Sequence, residues 1–233
     1  MKYTQILFDL DDTILDFQSC KKRSLAALFS HFGFPAKPEY LARFEQINSA
    51  MWHDYEVTAK SNDILSMRNT RFSRTMNDFG ITVDGAEWEL EYQKLLAQGD
   101  EAMPHAPEVL ARLHSSCRLF VISNGIDWIQ QSRLANAGFS NLFEKCFIST
   151  SMGAQKPTRA FFDQVASSIP GFCPSSALVV GDRVLTDIKG GLDYGLACCW
   201  YNSRSESCLD SVIPTFTISD LSDLVPIVTG ASL

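Results

Sequence analysis

The sequence predicts an α/β chain, a doubly wound parallel sheet interrupted after its first strand by an all-helical insertion. Three observations carry this. Short apolar runs recur between Gly, Pro, Asn or Asp breaks and alternate with segments of helical spacing, the pattern of a parallel sheet with crossover helices. The first run, Ile6, Leu7 and Phe8, stops at Asp9, so a buried strand drives into acidic residues. Residues 17–102 then carry only helical periodicity, far more chain than a crossover between parallel strands requires.

Within the insertion, helical stripes fall near 19–32, 38–57, 62–79 and 85–98. Leu25, Leu28, Phe29 and Phe32 make one stripe; Leu41, Phe44, Ile47, Met51 and Tyr55 make another. The predicted division is therefore a helical domain over 17–102 and a sheet-bearing core over 1–16 and 103–233. In the core a helix over 107–117 leads to a buried strand at 119–123 ending in Asn124-Gly125. A helix over 127–138 follows, with Gly138 as its stop. Strands at 146–149 and 178–181 enclose a helix over 158–169, and a last pair at 196–200 and 215–218 brings the expected strands to six.

Composition narrows the function classes. A chain of 233 residues, 45% hydrophobic and 20% charged, has the makeup of one large or two modest folded domains. The net charge of −7 argues against binding nucleic acid or an anionic membrane through a general basic surface. Asp9, Asp11 and Asp12 interrupt any apolar stretch of a signal peptide, and no run approaches membrane-spanning length. Cys20, Cys117, Cys146, Cys173, Cys198, Cys199 and Cys208 form no C-x-x-C pair and total an odd number, which fits neither a zinc site nor a secreted disulfide framework. Most of them read as small buried hydrophobes in a reducing cytoplasm. His31, His53, His105 and His114 are scattered without metal or triad spacing.

The chemistry concentrates where strands end. Asp9 and Asp11 are two apart, so both side chains leave one face of an extended segment. Carboxylates that close raise each other's proton affinity, and double ionisation needs a cation or a shared proton. Mg²⁺, a hard ion held by carboxylates and phosphate, would serve; a nucleophile and an acid is a second use, and simple turn capping a third. Ser123-Asn124-Gly125, Lys156 in Q-K-P-T, and the stretch from Gly181-Asp182 to Asp187 supply a hydroxyl, an ammonium and further carboxylates. Singly these are a turn, a solvated lysine and a loop dipeptide. Gathered at the carboxyl edge of one sheet, they fit phosphoryl transfer.

D-x-D-x-T at Asp9 to Thr13, S-N-G at Ser123, K-P at Lys156 and G-D-x-x-x-x-D ending at Asp187 resemble, in order, the four motifs of the haloacid dehalogenase superfamily. The resemblance covers nearly the whole chain and implies a Rossmann-like core with a C1-type helical cap. Residues 48–55 (N-S-A-M-W-H-D-Y), Arg71-Phe72 and 195–202 (G-L-A-C-C-W-Y-N) further resemble the bacterial pyrimidine-preferring 5'-nucleotidases of that family.

That resemblance implies a Mg²⁺-dependent phosphatase acting on a small phosphate ester, a nucleoside 5'-monophosphate such as dUMP, UMP or dTMP. Asp9 would be the nucleophile, Asp11 the general acid and base, and Lys156 the positive charge beside the transferring group. Ser123 and the amides around Leu10, Asp11 and Asn124 would hold phosphate oxygens. The Asp9 carboxylate, the Asp11 carbonyl and the Asp182 carboxylate would ligate the metal, supported from behind by Asp187 and Thr13. An acid at position 11 separates phosphatases and phosphomutases from the dehalogenases, which lack it and use no metal. Arg183 stands where a small hydroxyl residue is commoner, and Pro104-His105-Ala106-Pro107 lacks the glycine often found where the chain returns from the cap.

Asn48, Trp52 and Tyr55 share one helix face at i, i+4 and i+7, where an aromatic could stack on a pyrimidine and an amide could bond its edge. Arg71 would contact phosphate or ribose. The competing reading makes these packing residues and an ion pair internal to the helical domain. Other activities open at this stage are a phosphatase for phosphoglycolate or a sugar phosphate, a phosphomutase, and a phosphate-ester-binding regulatory module.

Overall fold

The computed structural model describes residues 2–58, 64–209 and 211–230, without the side chains of 55–58 and 64–65. Its strands are β1 (Gln5–Phe8), β2 (Arg118–Ser123), β3 (Lys145–Ile148), β4 (Ala177–Gly181), β5 (Ala197–Tyr201) and β6 (Phe216–Ile218). Its helices are α1 (Phe17–His31), α2 (Pro38–Thr58), α3 (Ile64–Asn77), α4 (Gly85–Leu96), α5 (Ala106–His114), α6 (Asp127–Asn136), α7 (Ser149–Met152), α8 (Arg159–Ser168), α9 (Gly190–Tyr194) and α10 (Leu224–Thr229). The six strands form one sheet in the order β3-β2-β1-β4-β5-β6, parallel at every pairing.

Strand alternation sorts the core into two layers. Ile6 and Phe8 of β1 face the same way as Val121, Val180 and Cys199, and pack on Val109 and Leu113 of α5 and Leu224 and Val228 of α10. Leu7 faces the other way, with Ile122, Val179 and Trp200, onto Phe161, Phe162 and Val165 of α8. Both faces of the sheet are thus covered by helices, the condition under which an all-parallel sheet reads as continuous apolar runs. Strand order reverses at β1, because β2 and β3 lie on one side of it and β4 to β6 on the other. The carboxyl ends of β1 and β4 therefore border the crevice in which such folds bind ligands. Asp9 N–H donates to Val180 O at 2.8 Å, carrying the pairing one residue past β1.

Backbone proximity divides the chain into two compact units, residues 1–17 with 100–233, and residues 18–99. The second unit is built on aromatic packing. Phe44 stacks on Phe72 at 4.8 Å, Tyr92 meets Phe72 edge-on at 5.3 Å, and Trp88 meets Phe29 edge-on at 5.3 Å and stacks on Phe32 at 4.7 Å. Asp84 caps α4 by accepting from the N–H groups of Ala86 and Glu87.

Some elements depart from the sequence reading. The helix expected over 107–117 is Ala106–His114, and His105 before it takes a left-handed φ of 62° in place of the missing glycine. Its ring Nδ1 lies 2.8 Å from Asp220 Oδ1, a contact that helps hold this conformation. A π-helical turn, Val184–Lys189, leads into α9, a stretch for which the sequence reading gave no helix. Gly190 and Gly191 look like turn residues but serve close packing: a Cβ on Gly191 would lie 2.5 Å from Cys198 Sγ. α7 and α10, at four and six residues, are too short to show a period.

Phe72 is fully buried at the centre of the aromatic cluster. Phe72→Ala is expected to lower the unfolding free energy by about 3–5 kcal/mol. Guanidinium denaturation checks this, and an unchanged midpoint would remove the cluster from the account of that unit's stability.

Candidate active site

The site assembles around Lys156, one of the bulkiest fully buried side chains. Its Nζ donates to Asp9 Oδ1 at 2.6 Å, to Asp187 Oδ1 at 2.7 Å and to Ile122 O at 2.9 Å, which uses all three ammonium protons. Asn124, just past β2, fixes the lysine's backbone: its Nδ2 donates to Lys156 O and its Oδ1 accepts from Lys156 N–H, each at 2.9 Å. On the other side of Asp9, Thr13 Oγ1 donates to Oδ2 at 3.1 Å. Asp187 is held by Lys156 through Oδ1 and by the Arg183 N–H at 3.0 Å through Oδ2. The approach of Asp187 requires glycine at 181, since a Cβ there would lie 2.3 Å from Oδ2.

Burial raises the Asp9 carboxyl to about 7, with Lys156 opposing and Asp187 and Asp11 adding to the rise. Asp182 is held well above the usual carboxylate range by burial first, then by Asp9 and Asp187. Burial alone would pull the Lys156 ammonium down, but Asp187 and Asp9 outweigh it and hold it above its ordinary value. Asp9, Asp182 and Asp187 each place a carboxylate oxygen within 4.8 Å of the others. If all are ionised, three negative charges face the one ammonium of Lys156, and a divalent cation would balance the remainder. Asp182 Oδ1 is buried without a hydrogen-bond partner among the described residues, an arrangement that is costly unless a cation meets it. The donors fit a hard, oxygen-seeking ion such as Mg²⁺.

The order of these residues along the chain and their convergence at one sheet edge match the motifs read from the sequence. The family described as haloacid dehalogenase-like hydrolase matches residues 3–195. The chain belongs to this family. The hydrolase is 34% identical over 226 residues to a protein of Streptococcus pneumoniae named pyrimidine 5'-nucleotidase PynA, covering 97% of this chain and 94% of that one. It is 28% identical over 224 residues to the Escherichia coli protein named pyrimidine 5'-nucleotidase YjjG, covering 96% and 97%. The crystal structure of the HAD-hydrolase YfnB of Bacillus subtilis bound to magnesium superposes with a TM-score of 0.93 at 33% identity, covering 98% of this chain and 99% of that one.

Partners of the predicted site residues escaped the sequence reading. Asp11 has one carboxylate oxygen bonded by Gln130 Nε2 at 2.7 Å and the other paired with Arg133 Nη1, both from α6. Gln130 Nε2 also donates to Ser123 Oγ at 3.0 Å, and Ser123 Oγ accepts from Gly125 N–H. The available signal was two polar residues three apart on the inward face of α6, between Ile129 and Leu134. Arg204, in the loop after β5, pairs at 2.8 Å with Asp12, whose φ is 62°. The Asn124 side-chain amide is spent on the Lys156 backbone, which leaves the expected phosphate contact to the Asn124 backbone N–H.

Two of the four specificity candidates, Asn48 and Arg71, are buried. Arg71 donates through Nε and Nη2 to both oxygens of Glu89, at 2.7 and 2.9 Å, and through Nη1 to Asn48 Oδ1 at 2.7 Å. Its guanidinium lies against Phe44, Phe72 and Tyr92, and Asn48, Arg71 and Glu89 are all buried. These contacts make Asn48 and Arg71 parts of the helical unit's own core, in line with the competing reading of packing residues and an internal ion pair and not with the substrate contact. Trp52 is half-buried with the Arg68 guanidinium 5.3 Å from its ring centre. The Tyr55 side chain falls outside the described residues.

Arg71→Ala would leave Glu89 buried without its counter-charge and is expected to cost about 3–5 kcal/mol of stability. Thermal or denaturant unfolding measures it. A fully stable variant with altered ester preference would return Arg71 to substrate recognition.

Proposed function

We propose that this hydrolase is a Mg²⁺-dependent phosphatase for nucleoside 5'-monophosphates, with pyrimidine nucleotides (dUMP, UMP and dTMP) preferred, working through an aspartyl-phosphate on Asp9. The observation that carries the proposal is the Asp9 carboxylate at the sheet's switch point, gripped by Lys156 and Thr13 beside the unpartnered Asp182 oxygen. The names of PynA and YjjG support the nucleotide assignment. The YfnB structure bound to magnesium supports the metal. The division into a core over 1–16 and 103–233 and a substrate-selecting cap over 17–102 belongs to the same proposal, with Trp52 and Tyr55 its candidate base contacts.

Asp9 attacks phosphorus through the oxygen not held by Lys156, and the ester P–O bond breaks with its electron pair going to the departing oxygen. Asp11 delivers the proton that this oxygen takes up. Water then attacks the aspartyl-phosphate, Asp11 accepts its proton, and the P–O bond to Asp9 breaks to release inorganic phosphate. Lys156, locked in place by Asn124, offsets charge on Asp9 and the transferring group without reorganising. Ser123 holds a phosphate oxygen. Asp9, the Asp11 carbonyl and Asp182 would hold Mg²⁺, which would neutralise the repulsion between carboxylate and phosphate dianion. Asp187 orients Lys156.

Phosphate release from nucleoside monophosphates, phosphoglycolate and hexose phosphates, with Mg²⁺ or EDTA, tests the reading. Wild type with metal should release phosphate, fastest from pyrimidine monophosphates, and Asp9→Asn or EDTA should abolish it. A preference for phosphoglycolate or a sugar phosphate would discard the nucleotide. Transfer to substrate in place of water would mark a mutase, and no turnover by folded protein would leave a binding role.

A further inference from the structure

Arg133 is among the bulkiest fully buried side chains of the described residues, and nothing in the reaction described above uses it. Burying a guanidinium is costly unless it is paired. Its Nη1 pairs with Asp11 Oδ1 and donates to Gln130 Oε1 at 3.2 Å, while its planar face lies with Cζ 5.5 Å from the centre of the Phe17 ring. Gln130, one turn earlier on the same face of α6, reaches the other oxygen, Asp11 Oδ2, at 2.7 Å. The same Gln130 Nε2 donates to Ser123 Oγ. Asp11, on a loop and about a third exposed, is thus gripped at both oxygens by a rigid helix that also holds the Ser123 hydroxyl.

We propose that Arg133, with Gln130, is the positioning device for the acid/base carboxylate: α6 sets the direction of Asp11 and ties it to the phosphate-binding hydroxyl. This deepens the phosphatase reading and rests on it. Arg133 touches neither phosphorus nor the leaving oxygen in this scheme and acts only through Asp11. Its role therefore shows where proton delivery matters. An alkoxide leaving from a nucleoside monophosphate needs a proton as the P–O bond breaks. A p-nitrophenolate does not, because its ring stabilises the charge.

The test compares kcat/KM, which reports events up to the first P–O cleavage, for UMP and p-nitrophenyl phosphate in wild type, Arg133→Gln, Arg133→Lys and Gln130→Leu. General acid catalysis contributes about 10²–10⁴-fold, so misplacing the acid is expected to cost UMP at least about tenfold more than p-nitrophenyl phosphate in Arg133→Gln. Arg133→Lys, which keeps one charged donor, should recover part of that selective loss, and Gln130→Leu should show a smaller loss of the same kind. Equal losses on both esters, or none, in variants with wild-type circular dichroism would overturn the inference. If Arg133→Gln does not fold, Gln130→Leu decides by the same ratio. Failure of wild type to hydrolyse either ester would instead be a failure of the phosphatase reading.

Discussion

One buried ammonium organises the site. Lys156 has three protons and three acceptors, two of them carboxylates from distant parts of the sequence and the third a carbonyl near the end of a central strand. Without that charge, Asp9 and Asp187 would repel inside a low-dielectric pocket, and neither would hold its place as an anion. With it, each element that ends at the crevice has a fixed relation to Asp9. β1 brings Asp9, β2 brings Ile122 and through Asn124 the lysine's own backbone, and the turn after β4 brings Asp187. A buried ion pair is weak evidence for stability but strong evidence of geometry, because removing any one partner strands the others.

The sheet makes that convergence affordable. Every strand runs the same way, so every strand ends at the same edge, and the reversal of order at β1 opens the crevice where the first acidic residue emerges. Both apolar layers are complete without the polar residues at the carboxyl edge, which leaves Asp9, Ser123 and Asp182 outside them. The price of this economy is crowding, and glycine at 181 is its clearest mark.

Much of this was legible in the sequence because its signals are local. All six strands are apolar runs with abrupt polar ends, and the helical stretches of the insertion repeat long enough to show their period. The motif residues Asp9, Ser123, Lys156, Asp182 and Asp187 stand where strands stop or helices begin, and the structure gathers them. What could not be read depends on partners distant in the chain. Gln130 and Arg133 look like the polar face of an ordinary helix until Asp11, more than a hundred residues earlier, is seen against them. For Asn48 and Arg71 the sequence left substrate contact and internal pairing both open, because a helix face shows which residues align but not what they meet. Only the position of Glu89 shows that they satisfy one another. Short helices such as α7 and α10 offer fewer than two turns of pattern.

The turn at Val184–Lys189 is wound one residue wider than an α-helix, with Ile188 N–H reaching back to Arg183 O at 3.3 Å. Such bulges accommodate an extra residue within a helical segment, and a change of one residue turns everything downstream by about 100°. Asp187 points at Lys156, while Gly190 and Gly191, a few positions later, lie flat against Pro157 and Cys198. The wide turn thus lets one short segment meet two aiming requirements that a regular helix would put in conflict. In this stretch the count of residues sets where Asp187 points, so its length should tolerate change less readily than its composition.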